Sequence, residues 1–66
     1  MKLIINGKAE QLPEGMSAAQ LIEHLDLTNE RLAMEVNREI VPRSSFESHI
    51  LAAGDQIEIV RAIGGG

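Results

Sequence analysis

Alternating apolar and polar positions divide this chain into short strand-like runs and one helical stripe. Residues 2–6 form an apolar, largely β-branched run that ends in Asn6-Gly7. Asn-Gly between two strand-like segments is a strong hairpin signal, because a type I′ turn needs positive φ at both central residues. Residues 1–5 and 8–12 are therefore expected to pair, with Pro13-Glu14-Gly15 breaking the second strand. Ser17 stands three residues before Gln20, the spacing of a capping box, and Ala18, Leu21, Ile22 and Leu25 fall on one helical stripe. That spacing predicts a helix over residues 18–25, followed by a polar, turn-like stretch over 26–30.

The second half reads as strands again. Residues 32–36 form a third strand, Asn37-Arg38-Glu39 a turn, and Ile40-Val41 a short strand halted by Pro42. Proline donates no ladder hydrogen bond, so this strand is expected at a sheet edge. Ser44 or Ser45 is expected to cap a short helical turn carrying Phe46, His49 and Ile50. Gly54-Asp55 is a turn, and residues 56–63 make the last strand before Gly64, Gly65 and Gly66. The helix is too short for a bundle and must lie across one face of a mixed sheet. Alternation turns Leu3, Ile5, Ile57 and Ile59 toward the helix and Ile4, Glu58 and Val60 away from it. If the last strand joins the hairpin at the sheet's centre, the arrangement is an α+β β-grasp fold of four or five strands. Its domain spans residues 1–63, with a glycine tail over 64–66.

Composition narrows the function classes. A single domain of 66 residues has little room for both a core and an enclosed pocket. A module that presents a surface or an end fits better than a self-sufficient enzyme. No cysteine is present, so no disulfide and no thiolate metal site exists. The net charge is −4, the cations are scattered, and Phe46 is the only aromatic residue, which argues against binding nucleic acid. Apolar runs such as Leu3-Ile4-Ile5 are too short to span a membrane, and the N-terminus has no apolar stretch of signal-peptide length. The expectation is a soluble, cytoplasmic protein.

Few side chains suggest chemistry. His24 and His49 have no ligand-spaced partners, so no metal site is expected. Glu10, Glu14 and Glu23 are dispersed, as solvating charges are. Arg38 and Arg43 flank the Ile40-Val41-Pro42 segment and suit either partner guidance or solvation. The glycine end reaches ~10 Å beyond the sheet when extended, and it offers no side chain to obstruct a narrow channel. By composition alone, a frayed terminus or a cloning remnant explains such an end more readily. Ile4 and Val60 would leave an outward apolar pair near the root of this tail.

The run Glu35-Val36-Asn37-Arg38-Glu39-Ile40-Val41-Pro42-Arg43, the run Gly54-Asp55-Gln56-Ile57-Glu58-Ile59-Val60 and the ending Ile63-Gly64-Gly65-Gly66 resemble the ThiS sulfur carriers of thiamine biosynthesis. The opening hairpin and the length match as well, so the resemblance covers essentially the whole chain. A diglycine end alone is unspecific; its combination with Asn-x-x-Ile-Val-Pro-Arg and the Gly-Asp turn is specific. The resemblance implies a ubiquitin-like β-grasp fold and a protein co-substrate rather than an enzyme. It implies that Gly66 is adenylated by an E1-like adenylyltransferase and becomes a thiocarboxylate that donates sulfur for thiazole formation. Gly64 and Gly65 would enter partner active sites, and Ile4, Glu58 and Val60 would form the partner surface. The implied partners are that adenylyltransferase, thiazole synthase and a sulfur-donating enzyme, with no bound cofactor and with ATP used by the activating partner. A molybdopterin-synthase-type carrier, a ubiquitin-like protein modifier and a plain interaction module are the competing readings. The 37–43 segment favours the thiamine branch.

Overall fold

Asn6 and Gly7 both take positive φ, 49° and 82°, and turn the chain back between β1 (Lys2–Ile5) and β2 (Lys8–Gln11). This is the geometry of the computed structural model, which describes residues 1–61. The first hairpin pairs Lys2 with Gln11 through Ile5 with Lys8, and beyond the named strands Met1 and Leu12 also exchange hydrogen bonds, in keeping with the expected 1–5 and 8–12.

Helix α1 (Ala18–His24) follows, with Leu25 as its C-cap. Its start satisfies all its first donors. The Gln20 N–H donates to Ser17 Oγ at 3.1 Å, and the Ser17 N–H donates to Gln20 Oε1 at 2.9 Å, completing the capping box. The Ala18 and Ala19 N–H groups donate at 2.9 Å to the carbonyls of His49 and Phe46. The segment after β4 thus supplies the acceptors that a helix N-terminus requires.

β3 (Leu32–Val36) and β4 (Glu39–Val41) form the second hairpin. Its turn is Asn37-Arg38, with φ of 52° and 70°; Glu39 belongs to the strand and pairs with Val36, so the expected three-residue turn is shorter by one. A 3-10 turn spans Arg43–Ser45. Neither Ser44 nor Ser45 caps it: the extended Pro42 precedes it, no side chain bonds its start, and the Ser45 N–H donates to the Pro42 carbonyl at 2.8 Å. Phe46 is buried beside this turn, whereas His49 and Ile50 lie beyond it and Ile50 bridges to Ser17.

β5 (Gln56–Arg61) completes a five-stranded sheet of order β2-β1-β5-β3-β4. It runs parallel to β1 and antiparallel to β3. The last strand sits at the centre and β4 at an edge, as Pro42 predicts. The expected extension of this strand to residue 63, and the tail at 64–66, lie outside the described residues. Leu3, Ile5, Ile57 and Ile59 are buried on the helix side with Leu21 and Met34, the arrangement expected from alternation.

Leu21 is fully buried at the centre of this core. Leu21→Ala is expected to destabilise the domain by ~2–5 kcal/mol, the usual result of truncating a buried leucine. Urea unfolding midpoints that coincide with the parent would show that α1 does not pack on the sheet as described.

Candidate functional site

The end of β5 and the sheet face opposite α1 form one continuous region. On its β3 side, Arg61 pairs with Leu32 and Val60 with Ala33. On its β1 side, the backbone of β1 turns away at Asn6, and a side chain takes over. Asn6 Oδ1 accepts the Ile59 N–H at 2.9 Å, and Asn6 Nδ2 donates to the Ile59 carbonyl at 3.3 Å. An amide carries one acceptor and two donors, so the side chain pairs with Ile59 much as a strand residue would. At the other end of β5, Asn37 does the same work. Its Oδ1 accepts the Gln56 N–H at 3.0 Å and its Nδ2 donates to Asp55 Oδ1 at 3.0 Å. Asp55 in turn accepts the Ala52 N–H at 2.8 Å through Oδ2.

Arg61 points to the helix side and meets Glu30 at 3.3 Å. Both side chains are substantially exposed, so the pair contributes little stability. Arg43 Nη2 donates to the Glu30 carbonyl at 3.1 Å. Arg43 is thus engaged near the end of β5. Arg38 lies in the turn at the other end of β4, so the two arginines do not form one basic site.

The outward face carries Ile4, Glu58 and Val60, as alternation predicts. Ile4 and Val60 share this face without being neighbours. Ile4 lies beside Ala9 and Gln56, whereas Val60 lies beside Ala33, four residues further along β5 or ~13 Å. Ile40 joins the Val60 end of the face, pairing with Glu35. Ile40 and Val60 are 74% and 57% exposed, large apolar side chains left open to solvent. Between them Glu35 and Glu58 stand directly opposite each other on adjacent strands. Like charges in that position repel.

Among the described residues, no three His, Asp or Glu side chains gather into a metal-binding group. His24 ends α1 and His49 follows the 3-10 turn. Ser17, the one buried polar residue among those described, is occupied in capping. No described helix is long and apolar enough to cross a membrane. The sequence reading used Asn6 only for its tolerance of positive φ and missed the reach of its carboxamide. Asn37 was likewise read as a turn residue. No local signal marks either one, because asparagine is the ordinary residue at the first central position of such a turn.

Comparison with known proteins fits this geometry. The sequence model of the ThiS family matches residues 3–66. This chain belongs to the ThiS family. Over its full length it is 36% identical to the full length of the sulfur carrier protein ThiS of Escherichia coli. It is 41% identical to a segment of the thiazole synthase of Paramagnetospirillum magneticum, spanning all of this chain but only 20% of that protein. The crystal structure of the thiamine biosynthesis protein ThiS from Geobacter metallireducens superposes with a TM-score of 0.88, at 28% identity and with complete coverage of both chains. The ThiS family places this chain among sulfur carriers of thiamine biosynthesis with a ubiquitin-like β-grasp fold. The five-stranded mixed sheet, crossed by one helix, is that fold.

The Glu35–Glu58 opposition gives a direct test of the face. Glu58→Gln is expected to stabilise the domain by up to ~1 kcal/mol at low ionic strength, with the gain shrinking in ~1 M salt. Equal stability of variant and parent at low salt would show that the two carboxylates splay apart.

Proposed function

We propose that the working group of this ThiS-family chain is the carboxyl of Gly66, which carries sulfur as a thiocarboxylate for thiazole formation. The observation that carries the reading is the family match, which runs through the glycine end to residue 66. The absence of cysteine supports it, since no side-chain thiol competes for the role. A carboxylate is a poor electrophile and requires activation. Its oxygen attacks the α-phosphorus of ATP on an E1-like adenylyltransferase, forming the acyl-adenylate and releasing pyrophosphate. A sulfide-level nucleophile from a sulfur-donating enzyme then displaces AMP. The carbonyl carbon keeps its oxidation state, and the product is –C(O)S⁻.

The acceptor of that sulfur is a thiazole synthase. Support comes from the thiazole synthase of Paramagnetospirillum magneticum, one fifth of which resembles this whole chain. In that relative, carrier-like and synthase sequences share one polypeptide, which fits two functions that meet. Gly64 and Gly65 give the chain a cross-section narrow enough to enter both partners' active sites. Ile4, Glu58 and Val60 lie on the face that meets them, with Val60 nearest the end of β5. Protein modification is separated from sulfur carriage by intact mass from cells: an oxygen-to-sulfur exchange supports the carrier, and lysine conjugates support the modifier.

Two variants test the reading. Deleting Gly65 and Gly66 is expected to leave unfolding unchanged and to abolish ATP–pyrophosphate exchange and rescue of a thiamine-requiring strain. The carboxyl retreats by ~7 Å, while reacting atoms must lie within about 3–3.5 Å. Rescue equal to the parent would refute the carrier reading. Val60→Asp is expected to lower exchange at sub-saturating carrier while thermal stability stays near the parent, because a carboxylate buried at an interface without a partner is costly. Unchanged exchange would remove Val60 from the docking face.

A further inference from the structure

The two asparagine clasps on β5 hold opposite ends of the strand. Asn37 holds the start, at Gln56, and Asn6 holds Ile59, two residues before Arg61. β1 pairs with β5 at Ile4–Gln56 and Ile5–Ile57, and toward the end of β5 the last backbone bond between them runs from the Asn6 N–H to the Ile57 carbonyl at 2.8 Å. Beyond that point the β1 backbone has turned into the left-handed region, and the Asn6 carboxamide is what continues the sheet. Without it, the end of β5 would be paired on the β3 side alone. Two-stranded ribbons twist more than wider sheets. The same short segment carries Val60 on the open face and leads into the residues after Arg61. A change of twist after Glu58 therefore alters the angle between the face that meets a partner and the direction in which the chain leaves.

We propose that Asn6 is a positioning residue, whose two-point bond to Ile59 sets the direction in which β5 presents the C-terminal segment to a partner's active site. The proposal rests on the carrier reading above. It makes a distinction that a purely structural role does not. A carrier that is merely less stable is equivalent to less carrier: half-saturation rises and turnover at saturation stays. A carrier that docks normally but delivers its end at the wrong angle binds as before and turns over slowly. A misplacement of about 1 Å is enough to cost on the order of 100-fold in rate.

Asn6→Gly removes the carboxamide and still accepts the positive φ that the turn needs. Asn37→Gly does the same at the other end of β5 and serves as the control. Each full-length variant is assayed by ATP–pyrophosphate exchange with the cognate adenylyltransferase across carrier concentration, alongside thermal unfolding and amide hydrogen exchange. Asn6→Gly is expected to lower saturated turnover by ~10- to ~100-fold, with half-saturation within about twofold of the parent. The Ile59 amide is expected to exchange faster. Asn37→Gly is expected to keep saturated turnover near the parent. If Asn6→Gly does not fold, Asn6→Asp carries the test, since a carboxylate keeps the bond from the Ile59 N–H and loses the one to its carbonyl. Saturated turnover equal to the parent, or an equal loss in Asn37→Gly, overturns the proposal. No exchange by the parent itself overturns the carrier reading, and the positioning role falls with it.

Discussion

The parallel pairing of β1 with β5 is the constraint on which the rest of the fold depends, and it is short. Only Ile4–Gln56 and Ile5–Ile57 face each other as ladder partners. Yet this seam joins the two hairpins into one sheet and aligns Leu3 and Ile5 with Ile57 and Ile59 over α1. A seam of two pairs would be weak in isolation. The Asn6 carboxamide extends it on the β1 side, while Asn37 holds the start of β5 on the opposite, β3 side. Asn6 lies at the C-terminal end of β1 and Asn37 at the C-terminal end of β3. Because β1 is parallel and β3 antiparallel to β5, the two asparagines fall at opposite ends of the central strand.

α1 is only seven residues long, too short to be stable in water by itself. Its stability comes from burying Ala18, Leu21 and Ile22 and from the acceptors around its first turn. The carbonyls of Phe46 and His49 bond donors that would otherwise face the core edge unpaired. The segment after β4 is therefore a capping element as well as a connection. In this stretch, where a short helical turn carrying Phe46, His49 and Ile50 is expected from the sequence, Phe46 is core.

Most of the fold was legible because local and long-range signals agree. Asn6-Gly7 specifies its turn by φ, Ser17 and Gln20 specify the helix start, and alternation in residues 56–60 assigns both sheet faces. The glycine end and the Asn37–Arg43 segment carry the family resemblance in the sequence itself. What escaped the reading were contacts between residues far apart in sequence. The Asn6–Ile59 clasp spans 53 positions, and nothing local to Asn6 distinguishes it from an ordinary turn asparagine. The expected serine cap failed for a related reason. Pro42 already sets the entry to the 3-10 turn, and the backbone alone closes it. Ile4 and Val60 were placed on the correct face, but strand register, which alternation does not supply, keeps them apart.

Parallel strands at the centre also separate the points where chain can be attached. The Gly54 N–H donates to the Lys2 carbonyl at 2.7 Å, so the start of β1 lies beside the start of β5. Met1 stands three residues before Ile4, the partner of Gln56, and Arg61 five residues after it, so the two are separated by roughly 26 Å along the strands. A tag, a solid support or a second domain tethered before Met1 would hang from the far end of the sheet. The ammonium of Met1 donates to the Leu12 carbonyl, and the amide that replaced it on such a linkage would still offer one N–H to the same acceptor. Tethering at this end thus leaves both the hairpin's hydrogen bonding and access to the opposite end of β5 undisturbed.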